Sequence, residues 1–159
     1  MNTPKSINDN ICAISTSNGI GGIAVIRVSG PEAVEIVNKL FSKKISNVQG
    51  YTLLHGTIFE KKQSIDDVIL SIFRSPRSFT GEDIVEISCH GSLYIQNKII
   101  QLLISNGARM ANPGEFSQRA FLNGKMDLSQ TEAIADLIHS RSAAAHEVAI
   151  KQMKGGFSS

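Results

Sequence analysis

Gly19-Ile20-Gly21-Gly22-Ile23-Ala24-Val25-Ile26-Arg27-Val28 is the stretch on which the fold turns. Its first six residues match G-x-G-x-x-A, a pattern of dinucleotide-binding turns. That motif needs a helix to begin at the glycines, because the helix N-terminus holds the pyrophosphate. Here the glycines lead into IAVIRV, a run rich in β-branched residues that reads as a strand. The dinucleotide reading fails on this context. The glycines instead form a turn between two strands, Asn10 to Ser17 and Ile23 to Val28, or a loop where backbone comes close to a flat ligand.

Working outward, Ser29-Gly30-Pro31-Glu32 carries helix-start signals, with Ser29 as the cap, and predicts a helix from Glu32 to Phe41. Tyr51 to Glu60 and Asp67 to Phe73 read as a strand pair linked by the polar stretch Lys61 to Asp66. Ser75 to Asp83 is a loop by its Pro, Gly and Ser content. Ile84 to Cys89 alternates as a strand, with Ile84, Glu86 and Ser88 on one face. Leu93 to Ser105 is an amphipathic helix stopped by Asn106-Gly107, and a short strand covers Ala108 to Ala111. The order β-β-α-β-β-β-α-β is not the βαβ alternation of a doubly wound parallel sheet, so the expected class is α+β. After Pro113 the texture becomes helical. Glu115 to Leu122 predicts a short helix. From Asp127 to about Lys154 one helix of roughly 25 residues is expected, opened by a capping box of Ser129 and Glu132. Its apolar stripe needs a partner, and the sequence ends with nothing to return against it, as in a piece cut from a longer protein.

Composition narrows the chemistry. The 159 residues are 42% hydrophobic and 19% charged, a globular balance, with a formal net charge of +2. Such balance does not by itself call for a nucleic-acid partner. Two cysteines, Cys12 and Cys89, are too few for a disulfide framework or a zinc site and suit small apolar core positions. No stretch approaches the ~20 apolar residues of a membrane span, and no secretory leader is evident, so a cytoplasmic chain is expected. No G-x-x-x-x-G-K-S/T loop occurs, which excludes P-loop binding of GTP or ATP by these residues. The histidines His55, His90, His139 and His146 lack metal-ligand spacing and read as surface or interface residues. No G-x-S-x-G elbow supports Ser/His/Asp catalysis. Neither a catalytic residue nor a metal ligand is assigned.

Three charges sit awkwardly among apolar residues: Arg27 inside IAVIRV, Glu86 inside IVEIS, and Lys125 after FLNG. Either they lie on a solvated face, or a carboxylate and two cations converge on a small polar ligand. A carboxylate suits a ligand edge with adjacent N–H donors, as in a pterin or guanine. Cations suit carboxylate tails or ring carbonyls.

Three ordered motifs cover nearly the whole chain: GGIAVIRVSGPEA, SFTGEDIVEISCHG and GARMANPGEFSQRAFLNGKMDLSQTEAIADLI. Together they resemble the N-terminal region of the MnmE/TrmE family of tRNA modification GTPases. The resemblance implies a mixed-sheet folate-binding domain, similar to the folate domains of aminomethyltransferases, followed by the start of an α-helical domain. Residues 1–120 would be the folate-binding and dimerisation domain and 121–159 the beginning of the helical one. It implies a 5-formyl- or 5,10-methylene-tetrahydrofolate ligand held by Arg27, Glu86 and Lys125, with Gly21 and Gly22 letting backbone approach the ring. It also implies a homodimer that works with MnmG (GidA) on the wobble uridine of tRNA, with no membrane. GTP, magnesium and potassium would belong to a G domain that this sequence lacks, so no GTPase activity is expected of it alone. The family usually has H-G-G at His90-Gly91-Ser92 and a Pro-Pro-Gly-Arg-like run at Ser17-Asn18-Gly19-Ile20, and both departures fall in loops beside the expected pocket. The rivals are a stand-alone folate-dependent transferase, a dimerisation scaffold without a ligand, and a tRNA-binding module.

Overall fold

A computed structural model describes residues 9–139 and 143–155. Six strands form one mixed sheet: β1 (Asn10–Ile14), β2 (Ile23–Ser29), β3 (Thr52–Glu60), β4 (Gln63–Phe73), β5 (Ile84–His90) and β6 (Ala108–Met110). Their spatial order is β3-β4-β5-β2-β1-β6. Every neighbouring pair is antiparallel except β1 and β6, which run parallel. The α+β expectation and the rejection of the dinucleotide fold both hold, because a strand begins after the glycines at Ile23.

Alternation along the strands explains where the core lies. Ala24, Ile26 and Val28 of β2 pair with Cys89, Ile87 and Val85 of β5, and all six are buried. Helices α1 (Ala33–Asn38) and α2 (Leu93–Ser105) cover this face with Val34, Ile36, Val37, Ile99 and Leu103. Each large aliphatic chain fully removed from water contributes on the order of 1.5–3 kcal/mol. Cys12 and Cys89 are free thiols inside this core, and burial pushes each up to about 11. Among the described residues no helix is long and apolar enough to cross a membrane.

Several local expectations need correction. The polar stretch after Glu60 is mostly strand: Glu60 pairs with Gln63, leaving Lys61 and Lys62 as the turn. Hairpin pairing with β3 overrides its polarity, since one side of that ladder faces solvent. Ser29 does not cap α1. It ends β2 with its hydroxyl turned to Thr80 and Glu82, and the Asn10 side chain accepts the Glu32 N–H instead. Gly30 permits that approach, since a Cβ there would lie 2.4 Å from Asn10 Oδ1.

Helix α3 (Glu115–Leu122) matches its expected limits. The single long helix does not occur: α4 (Leu128–His139) and α5 (Ala143–Met153) are separate and pack on each other. Gln130 Nε2 donates to the Met153 carbonyl and Gln152 Nε2 to Ser129 Oγ, so the end of α5 lies beside the start of α4. The partner expected of the stripe is therefore the second half of the same segment. The box at the start of α4 is Asp127 and Gln130, whose side chains each accept the other's backbone N–H. Ser129, already inside the helix, cannot serve as its cap. Residues 140–142 and the His139 side chain lie outside the described residues, and His146 is exposed on α5.

Candidate ligand-binding cleft

The β2–β5 register sets Arg27 directly opposite Glu86. Because Ile26 and Ile87 point into the core, the charged pair stands on the face that α1 and α2 leave free. Arg27 Nη2 lies 3.6 Å from Glu86 Oε1, a charge contact too long for a hydrogen bond. The Arg27 guanidinium lies over the rings of Phe79, from the loop before β5, and Phe116, from α3, at 5.1 and 5.2 Å from their centroids. Each such contact is worth about 0.5–2 kcal/mol, more as water is excluded. Arg27 Nε is buried with no acceptor. A buried donor of this kind favours any acceptor that reaches it. Arg27, Phe79 and Phe116 line a cleft of about 800 Å³ that also takes in Asn18, Asn112 and Ser117, while Glu86 meets it only through its contact with Arg27.

A buried polar network runs beside the rings. Arg119, 3% exposed, donates from Nη1 to both Glu82 oxygens at 3.1 Å and to the Asp9 carbonyl at 2.6 Å, and from Nη2 to the Asp9 carboxylate. Arg109 makes a fork on Glu115 at 2.8 and 2.5 Å and also reaches Asp9. Glu115 Oε1 further accepts the Asn112 N–H. Hydrogen bonds from Arg109 hold the Glu115 carboxyl below its usual range. Burial pushes the Asp9 carboxyl up, but Arg109 and Arg119 outweigh it and leave the group lowered. A second cavity of about 590 Å³ lies beside this network, bounded by Glu82, Asp83, Arg119 and Asn123. Its ionic groups are already paired: Asp83 with Arg74, and Glu82 with Arg119.

Of the residues singled out in the sequence, Arg27 and Glu86 meet. Lys125 is exposed and stands across the 75–83 loop, its side chain against Gly81, and does not line the cleft. Gly21 and Gly22 precede β2, six and five residues from Arg27, roughly 17–20 Å along an extended strand. Neither has backbone in close contact at its Cβ position. The glycine that the contact requires is Gly91, where a Cβ would lie 2.2 Å from the Gly21 carbonyl oxygen. Gln96, buried on α2, donates to the carbonyls of Gly19 and Gly91 and holds the two loops together. Sequence reasoning also missed Arg119, Glu115 and Glu82. The E-x-x-x-R spacing of Glu115 and Arg119 was the available signal, but it is common on solvated helices.

Fold and cleft together define the class: an α+β domain with a mixed sheet and a charged, ring-lined cleft on the face that α1 and α2 leave free. Residues 10–125 match the family model described as GTP-binding protein TrmE N-terminus, and the chain belongs to that family. The tRNA modification GTPase MnmE of Parabacteroides distasonis is 58% identical over 154 residues, covering 93% of this chain and 33% of that protein. The protein of the same name from Bacteroides fragilis is 57% identical over 94% of this chain and 33% of its own length. That of Porphyromonas gingivalis is 52% identical with the same coverage. The chain spans about a third of the length of these curated relatives.

Proposed function

We propose that this chain is the N-terminal part of a tRNA-modifying GTPase, and that its cleft binds a one-carbon tetrahydrofolate in the 5-formyl or 5,10-methylene form. The observation that carries the reading is the Arg27 guanidinium, set over two rings with one N–H unsatisfied and a carboxylate opposite. A flat heteroaromatic ring offering a carbonyl and adjacent N–H donors complements such a set. Glu86 accepts from the ring N–H groups, and Arg27 donates to an oxygen. Lys125, reaching from the other side of the 75–83 loop, neutralises a carboxylate tail, while the loops at Gly21 and Gly22 border the ligand. Bound there, the folate supplies a one-carbon unit. The chain's own work is to hold and orient it.

On this reading residues 1–120 are the folate-binding and dimerisation domain, similar in fold to aminomethyltransferase folate domains, and 121–159 begin a helical domain. The whole protein acts in the cytoplasm as a homodimer with MnmG on the wobble uridine of tRNA. GTP, magnesium and potassium bind in the part of the relatives that this chain does not span.

Calorimetric titration of 5-formyltetrahydrofolate into the chain and into Glu86→Ala tests the reading. Saturable heat from the parent, with affinity at least about tenfold weaker in the variant, is expected from losing a charged hydrogen-bond acceptor. No heat from the parent chain overturns it. Sedimentation of the same sample checks the dimer, and a strict monomer refutes that part.

A further inference from the structure

We propose that Arg119 is a positioning residue for the Arg27 site, fixing Phe79 and Phe116 against its guanidinium. The inference rests on reading the cleft as the ligand site, and it concerns residues that touch no ligand. Phe79 and Phe116 come from segments 37 residues apart in sequence, a loop and a helix, yet both reach Arg27 on a third element, β2. Arg119 ties those segments together near their rings, and Asn123 at the end of α3 adds a donation to the Thr80 carbonyl at 2.7 Å. The Arg119 guanidinium bonds Glu82 at 3.1 Å, three residues after Phe79, and lies 3.7 Å from Glu115, the residue before Phe116.

The frame closes back on the strand that carries Arg27. Ser29, two residues along β2, donates to Glu82 at 2.9 Å and shares a 2.8 Å hydrogen bond with Thr80, the residue after Phe79. Ser29 and Thr80 are fully buried. Contacts therefore run from Arg27 along β2 to Ser29, across to Glu82, through Arg119 to α3, and from Phe116 back to Arg27. A buried apolar residue at 119 would fill the space without specifying the relative placement of loop and helix. The fork of an arginine specifies it, because its donors lie in one rigid plane. Burying such a group costs desolvation that its partners only partly offset, which makes a fold-stability role alone a weak account of it.

The test uses the full chain, ¹⁵N-labelled, with the Arg27 side-chain Nε–Hε resonance identified by its loss in Arg27→Lys. Ring currents from Phe79 and Phe116 should shift it upfield of the other arginines. Arg119→Lys keeps charge but loses the fork; Arg119→Met with Glu82→Gln removes the cation together with one carboxylate. Both should return the Arg27 resonance toward the others while the backbone spectrum stays folded. Each should weaken 5-formyltetrahydrofolate binding about tenfold, a loss on the scale of the cation–π contacts at stake. In a Phe116→Leu background the same Arg119 changes should add less than about twofold. An unmoved Arg27 resonance in the folded variants overturns the proposal, as does an equal loss of affinity in both backgrounds. Failure of both Arg119 variants to fold also overturns it, assigning the residue to the fold. A shifted resonance in a parent chain that binds no folate would sink the folate reading while leaving the positioning role standing.

Discussion

At the scale of single residues, Arg27 and Glu86 were legible because a charge inside an apolar strand needs an explanation wherever it occurs. Arg119 and Glu115 were not, because their spacing on an eight-residue helix fits a solvated surface equally well; only their burial at 3% and 8% separates the two readings. Gly91 was hidden for another reason, since what it makes room for is the Gly21 carbonyl, seventy residues away in sequence. Gly91→Ala should therefore cost about 1–3 kcal/mol through backbone overpacking, whereas Gly22→Ala, with open space at its Cβ, should leave stability nearly unchanged. Urea midpoints of the two variants measure the contrast. The thiols give a second check. With Cys12 and Cys89 at 0% and 3% exposure and their thiols pushed up to about 11, a disulfide reagent at pH 8 should modify neither in the folded chain and both in denaturant.

At the scale of elements, α2 and α3 were predictable to the residue because their starts and stops are written locally. Helix α2 begins at Ser92, whose hydroxyl accepts the Ile95 N–H at 3.1 Å, and ends at Asn106-Gly107. Ser92→Ala should lower stability by about 1 kcal/mol, read from the denaturation midpoint, while Ser92→Gly should lower it by only a few tenths. The α4–α5 pair was misread for a physical reason. Apolar residues recur at helical spacing through both halves, and periodicity does not say whether a stripe meets another chain segment or its own continuation. The box of Asp127 and Gln130 was overlooked in the same way, because Ser129 and Glu132 satisfy the same pattern two residues later.

At the scale of the whole molecule, acid should act on the network that joins β1, β6, α3 and the 75–83 loop. Asp9 and Glu115 have folded values below their ordinary ones, so between the two values the unfolded chain binds more protons than the folded one. Their contribution is therefore fully present above about pH 5 and is lost as pH falls through the ordinary carboxylate range near 4 toward the lowered folded values. Melting temperature should fall steeply between pH 5 and 3. Glu115→Gln, less stable at neutral pH, should lose less over the same interval; parallel curves would show that the network is not the acid-sensitive part. The helical hairpin behaves differently under load. Because Gln130 reaches Met153 and Gln152 reaches Ser129, its two ends are neighbours, so force applied between them opens the contacts one after another. Parallel β1 and β6, pulled from opposite ends, would instead share the strain across their whole ladder at once. In a force-ramp experiment the hairpin should unzip first and at low force, a compliant segment joined to a stiff sheet.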